Sequence, residues 1–406
     1  MRVAVVGGGA AGMLAAIYSA RNGNETVILE QNEKLGKKLF ITGKGRCNLT
    51  NACDREEFFR NIPRNPRFLY SASSFFGPED IISLIEKAGT PTKVERGKRV
   101  FPSSDKSSDV IKALSKTLSS LGVQVRLNTR VKEILVRDNR VTGVRIGQVT
   151  EPFDAVVLAT GGLSYPSTGS TGDGFRFAKA LGHSVTPLYG SLVPLETEEA
   201  WCGTLSGITL KNVTLTAFRG KKELFSELGE MLFTHFGVSG PLVLSCSALI
   251  AEQPAGVRLS IDFKPGLTEE MLDARIVRDI SANTRKNLSG ALYGLLPQRL
   301  LAVVLEQAGL DGEASASSFT REQRKALVKT LKGLPLQVKA TRPIEEAIIT
   351  RGGVETKEVN PSTMESKIIR NLFFAGEMLD VDGFTGGFNL QTAWATGALA
   401  GSSIRE

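Results

Sequence analysis

Two patterns of apolar residues alternate along this chain. Short unbroken runs end at glycine, and longer stretches carry apolar residues at helical spacing. Residues 3–6 are the first short run and read as a buried strand. Met13, Leu14, Ile17 and Tyr18 carry a helix after it, and Gly23 stands where a left-handed residue caps its end. Residues 27–29 form a second strand that stops at Glu30. Between the first strand and the helix lie Gly7, Gly9 and Gly12, spaced G-x-G-x-x-G. Glycine permits the tight turn and lets a pyrophosphate approach the backbone. The helix start offers free N–H groups, and an acid after the second strand accepts from ribose hydroxyls. The spacing alone is a weak signal. With both strands, the helix and Glu30 in place, it predicts dinucleotide binding.

Beyond Glu30 the pattern dissolves into a glycine- and lysine-rich stretch, then resumes. Helices are expected over 78–88 and 108–121, and strands over 123–127, 131–136 and 141–146, with a hairpin turn at Asp138 and Asn139. Residues 154–162 read as a fully buried strand stopping at Gly161 and Gly162, the signature of a parallel sheet. From about 190 to 263 short alternating segments predict antiparallel β-structure. From 268 to 332 the period turns helical, and Thr320 to Gln323 form a capping box. A last buried strand runs over 371–375 to Gly376, and an apolar helix over 392–400. The expected division is 1–190 plus 345–406 as one split nucleotide-binding domain, 191–265 plus 333–344 as an inserted β domain, and 266–332 as an inserted helical subdomain.

Composition narrows the function classes. The chain has 406 residues, 41% hydrophobic and 23% charged, ordinary for a globular protein. No apolar run reaches the about 20 residues that span a bilayer, and the N-terminus shows no leader, so a cytoplasmic location is expected. Cys47, Cys53, Cys202 and Cys246 are scattered, with no C-x-x-C. His183 and His235 are the two histidines. No metal site is expected, and free thiols are the reading for the cysteines. Net charge is +8. Lys34, Lys37, Lys38, Lys44, Arg46, Arg55, Arg60, Arg64 and Arg67 concentrate some of it, with no aromatic-interleaved basic tract. A solvated face beside an anionic cofactor is expected rather than a nucleic-acid groove.

Three strand ends carry glycine: Gly7 to Gly12, Gly161 with Gly162, and Gly376. The third is followed by Asp380 and Asp382, then by Gly386 and Gly387 at a helix start. Ligands of open parallel sheets lie beyond such ends. A helix start stabilises the negative charge that a reduced flavin ring gains. Glycine turns at both ends of the chain, folding back on one cofactor, point to FAD rather than NAD.

These residues resemble the two-part FAD-binding domain of flavoprotein oxidoreductases. More narrowly, the chain is similar to the BaiN-type family of NAD(P)/FAD-dependent oxidoreductases, which includes aminoacetone oxidase. The matching stretches include Thr42-Gly-Lys-Gly-Arg-Cys-Asn-Leu-Thr-Asn51, Arg99-Val-Phe-Pro102 and Ala159-Thr-Gly-Gly-Leu-Ser-Tyr-Pro166. Leu232-Phe-Thr-His-Phe-Gly237, Thr350-Arg-Gly-Gly-Val354 and Phe374-Ala-Gly-Glu-Met-Leu-Asp380 follow in order. The resemblance implies an α/β fold, a Rossmann-like FAD domain with an inserted antiparallel β-barrel-like and helical module. It implies that Gly7, Gly9, Ala10, Ala11 and Gly12 line the pyrophosphate and that Glu30, with Gln31 beside it, takes the adenosine ribose. Lys38, Gly45, Arg46, Cys47 and Asn48 would lie along the ribityl chain and flavin, and Val131 would meet adenine through its backbone. Ala159, Thr160 and Gly161 would pass under the pyrophosphate. Gly376, Glu377 and Asp380 would touch the ribityl and phosphate region. Gly387, Phe388, Asn389 and Leu390 would meet the pyrimidine edge of the ring. Members differ in substrate, so the resemblance does not choose one.

The functional expectation is an FAD-dependent oxidoreductase that transfers hydride at flavin N5 to or from a small organic substrate bound between the flavin domain and the insert. His235 is the catalytic candidate because imidazole titrates near neutral pH; a structural histidine is the competing account. No second G-x-G-x-x-G exists, so NAD(P)H is expected only as a transient electron donor. Two alternatives remain open at this point: an RNA-modifying flavoprotein and a non-catalytic flavin-binding regulator.

Overall fold

The computed structural model describes residues 1–405. Two compact units form, Met1–Ser191 together with the chain from Pro343 onward, and Leu192–Arg342. The first is built on a parallel sheet of five strands: β1 (Arg2–Val6), β2 (Glu25–Leu29), β3 (Gln124–Arg126), β4 (Ala155–Leu158) and β5 (Leu372–Phe374). Their order is β5-β4-β1-β2-β3, and all four pairings are parallel. Residues 3–6 and 155–158 are buried throughout, which is why these strands read as unbroken apolar runs. The helix Ala10–Arg21 follows β1. The C-terminal helix Phe388–Ser403 packs along it.

Glycine makes that packing possible. A Cβ at Gly397 would fall 2.2 Å from the Ala11 carbonyl oxygen, and one at Gly401 would fall 2.1 Å from the Ala15 oxygen. The two helices therefore meet backbone to backbone. The hairpin of Val131–Arg137 and Arg140–Ile146 turns through Asp138 and Asn139, both left-handed at φ 51° and 55°, as a two-residue type I′ turn requires.

The second unit is a closed antiparallel barrel. Its strands, in order around the barrel, are Leu195–Thr197, Gly237–Ser239, Lys222–Thr234, Thr209–Arg219, Val257–Asp262 and Leu334–Thr341. Helices Glu269–Ser281, Gln298–Gln307 and Arg321–Lys332 belong to the same unit. Leu259 and Ile261 of the barrel share one apolar cluster with Leu272, Leu300 and Leu327 of the helices, so barrel and helices have a single core. The capping box at Thr320 is formed, with Gln323 N donating to Thr320 Oγ1 at 3.2 Å and Thr320 N donating to Gln323 Oε1 at 2.9 Å.

Two differences from the sequence reading have physical causes. Pro241–Ile250, inside the region read as β, is a helix. It is buried on nearly all sides, so its sequence carries no helical period; Pro241 at its first position was the available signal. The C-terminal helix starts at Phe388, four residues before the expected Thr392, because left-handed Gly387 (φ 102°) turns the chain directly into it. No helix is long and apolar enough to cross a membrane among the described residues.

Candidate functional site

The turn after β1 shows why each glycine is needed. At Gly7 (φ 106°) a Cβ would lie 2.5 Å from the Ala159 oxygen, so the turn touches the chain leaving β4. At Gly12 a Cβ would lie 1.9 Å from the Gly7 oxygen, which seats the helix on the turn. At Gly9 no atom lies within 4 Å of an ideal Cβ, leaving an open approach to the backbone. No side chain caps this helix start at Gly9, so the N–H groups of Ala10, Ala11 and Gly12 are available to an anion. Glu30 is buried beside them. Its Oε2 accepts from Gly8 N at 2.6 Å, and its Oε1 accepts from Asn32 N at 2.8 Å and Asn32 Nδ2 at 2.7 Å. Gln31 Nε2 donates to the Gly169 oxygen at 2.7 Å. Val131 opens its strand two residues after Thr129, whose N–H donates to the Glu30 oxygen.

The other termini of the sheet converge on the same edge. Ala159 N donates to the Val6 oxygen, and Ala375 N to the Leu158 oxygen. Thr160 Oγ1 contacts Met378 Sδ at 3.2 Å. Gly161 is left-handed (φ 74°), as is Gly376 (φ 73°), where a Cβ would lie 2.8 Å from Ala11 Cβ. Glu377 is gathered by three donors: Lys38 Nζ at 2.6 Å, Ser164 Oγ at 2.9 Å and Thr350 N at 2.8 Å. Burial raises its affinity for a proton, but Lys38 and these donors outweigh burial and hold the carboxyl below its ordinary range.

Residues 43–51 meet the C-terminal helix. Gly43, Lys44, Gly45 and Cys47 are all left-handed, at φ 61°, 58°, 83° and 60°; for Lys44 and Cys47, which carry a Cβ, that conformation is strained, as found at ligand clamps. With its amide oriented to satisfy both neighbours, Asn48 accepts from Gly387 N at 3.1 Å. Trp394 Nε1 donates to the Leu49 oxygen at 2.8 Å, and Thr50 Oγ1 donates to Gln391 Oε1 at 2.7 Å. The helix start therefore stands against this segment, with the N–H groups of Phe388, Asn389 and Leu390 ahead of the first intrahelical bond. The chemistry of these donors fits a dinucleotide with a ring at one end.

Several side chains named from the sequence are occupied locally. Arg46 stacks on Phe101 and pairs with Glu95 and with Asp105 at 2.6 Å, so it braces the 43–48 loop. The Asp380 carboxylate is taken by Arg64 and Asn65. The Asn389 amide ties down Gly383, and the Phe388 ring is buried near Phe58. Burial pushes the Cys47 thiol up to about 12, which keeps it protonated and unreactive. His183 is buried against Phe374 with Nε2 2.8 Å from Ser366 Oγ. His235 lies in the second unit, exposed at the turn between two barrel strands, its ring 4.9 Å from Phe236.

Sequence reasoning missed the partners. Asp382, buried, accepts from Ser191 Oγ at 2.8 Å and from Arg351 at 3.2 Å; burial raises its pKa despite that arginine. Arg351, Arg64, Ser164 and Asn32 carry no motif by themselves. Ser164 and Arg351 do fall in stretches that match the resembling family, which was the available signal.

Comparison with known proteins agrees with this geometry. A family model described as the HI0933-like protein Rossmann domain matches residues 1–403. The 3-dehydro-bile acid delta(4,6)-reductase of Clostridium scindens is 32% identical over 410 residues, covering 100% of this chain and 99% of that protein. A protein of Haemophilus influenzae named ribosomal RNA dihydrouridine synthase is 31% identical over 407 residues, covering 98% of this chain and 97% of its own. The fold is shared with 3-ketosteroid delta1-dehydrogenase from Sterolibacterium denitrificans, at a TM-score of 0.53 and 15% identity over 98% of each chain. The chain belongs to the HI0933-like Rossmann family and is an FAD-dependent oxidoreductase.

Proposed function

We propose that this protein reduces a carbon–carbon double bond conjugated to a carbonyl in a small organic molecule. One observation carries the reading. A relative 32% identical over the whole chain is named a 3-dehydro-bile acid delta(4,6)-reductase. Hydride addition to a conjugated double bond needs a donor, a positioned acceptor and a proton.

FAD supplies the hydride chemistry at N5 when bound. The chain's own groups do the rest. Ala10, Ala11 and Gly12 offer N–H groups to the diphosphate, and Glu30 accepts from the ribose. The N–H groups at the start of the helix after Gly387 hold negative charge on the ring's pyrimidine edge. Glu377, kept ionised, fixes the Lys38 ammonium. His235, an exposed imidazole, is the group we assign to move the proton. NADH or NADPH serves as a transient electron donor.

The uridine-directed names favour a second reading, reduction of a base in RNA, and the net charge of +8 is consistent with it. Against it, several of the clustered bases are already neutralised. Lys37 pairs with Glu33, Lys38 with Glu377, Arg46 with Glu95 and Asp105, Arg60 with Glu56, and Arg64 with Asp380.

The test starts with enzyme reduced anaerobically by NADH or NADPH. It is then mixed with a conjugated 3-oxo steroid or with a ribosomal RNA fragment, and the return of oxidised flavin absorbance is followed. Rapid return with the steroid alone supports the first reading. Return with RNA alone, lost steeply as salt rises, selects the second. A flavin that no conjugated acceptor reoxidises sinks both.

A further inference from the structure

The polar segment Ser167-Thr-Gly-Ser-Thr-Gly-Asp-Gly174 touches the site described so far only through the Gln31 contact to Gly169. Its path is informative. The strands β4 and β2 flank β1 on opposite sides. The chain leaving β4 nevertheless reaches residues beyond the end of β2. Gln31 Nε2 donates to the Gly169 oxygen at 2.7 Å, and Asn32 Nδ2 donates to the Thr168 oxygen at 3.0 Å. To make these bonds it crosses the carboxyl end of β1, where the Gly7 to Gly12 turn stands.

Both ends of the crossing segment are tied. Ser164 Oγ accepts from Lys38 Nζ at 2.7 Å. Asp173 accepts two bonds from Arg130, at 2.9 and 3.1 Å. Left-handed residues at Tyr165 (φ 52°), Gly169 (φ 101°) and Gly172 (φ 78°) shape it. Gly169 has no room for a side chain, since a Cβ would fall 2.5 Å from Asn32 Nδ2. The Asn32 amide has a double duty: it donates to Thr168 and also to Glu30 Oε1, at 2.7 Å. One side chain therefore orients the carboxylate that grips the ribose and fastens the segment crossing beside it.

We propose that residues 163–173 are a strap that retains the dinucleotide, latched at the adenosine end by the side-chain amides of Gln31 and Asn32. Asn32 is a positioning residue acting through Glu30 and the strap. The strap must open for FAD to leave, so the latch sets the rate of cofactor loss rather than the rate of chemistry. This rests on the FAD reading of the site.

The experiment uses the holoenzyme. It is diluted, and FAD release is followed as recovered flavin fluorescence. The double variant Gln31→Ala/Asn32→Ala should release FAD about tenfold faster, the change expected for the loss of one or two hydrogen bonds. Gly169→Ala, which crowds the latch from the strap side, should accelerate release by a similar factor. Combining all three changes should add little, because they break one latch. Near-wild-type circular dichroism of each variant separates this from unfolding. If the double variant does not fold, Gly169→Ala decides by itself. Wild-type release rates in folded variants overturn the strap, as do effects that multiply independently. A protein that takes up no FAD overturns the cofactor reading itself, and the strap with it.

Discussion

The two units of this chain bury different things. Among the described residues, every buried Asp and Glu lies in the nucleotide-binding unit: Glu30, Asp380 and Asp382. Glu377 is nearly as enclosed, its side chain 15% exposed. The inserted unit buries Ser245 and Ser247 as its polar side chains, and its core is otherwise aliphatic and aromatic with Cys202, Met231 and Cys246. A buried carboxylate is costly unless donors surround it. In the first unit each has them, from Gly8, Lys38, Arg64 or Arg351. The contrast separates two tasks. The barrel and its helices are held together by a filled core, whereas the sheet edge must also hold polar groups in fixed directions for a ligand.

The largest test of that contrast is Gly12→Val. Its Cβ would stand 1.9 Å from the Gly7 oxygen, backbone that cannot yield, so we expect complete loss of bound FAD, read from the flavin spectrum of the purified protein. Bound flavin at wild-type stoichiometry would show that the turn tolerates a side chain.

A matched pair sharpens the comparison. Leu259→Ala, in the barrel core at 0% exposure, should cost about 3 kcal/mol in chemical denaturation with FAD affinity unchanged. Arg64→Met should cost about 3 kcal/mol by stranding Asp380, and should weaken FAD binding as well. Equal effects of both on FAD affinity would erase the distinction between the units.

The smallest effect concerns His183 in the first unit. Burial lowers its pKa below the ordinary value, about 6.5. The unfolded chain therefore takes up a proton that the folded chain refuses. Stability from this site is complete above about pH 6.5 and declines as pH falls from there toward the folded value. The urea midpoint should fall between about pH 7.5 and 5.5, and His183→Gln should flatten that dependence. An identical slope in the variant would exclude His183 as its source.

Much of the scaffold was legible from one dimension. The β1 turn, the strand before Glu30 and the buried strand at 155–158 follow from periods and glycines close together in the chain. The polar partners were not. Glu377 meets Lys38 across 339 positions, Asp380 meets Arg64 across 316, and Trp394 meets Leu49 across 345. No local pattern encodes such pairs. The same holds for Arg46 and Asp380, expected on the cofactor, whose local partners Glu95, Asp105, Arg64 and Asn65 no motif announces.

The amino-acid order thus determined most of the strands and helices and which turns demand glycine, since those choices depend on backbone sterics and on apolar spacing over a few residues. Tertiary structure alone decided which buried charges are paired and which loop crosses the glycine turn. Those outcomes depend on desolvated groups finding donors brought close by the sheet order, and sheet order is a property of the whole folded chain.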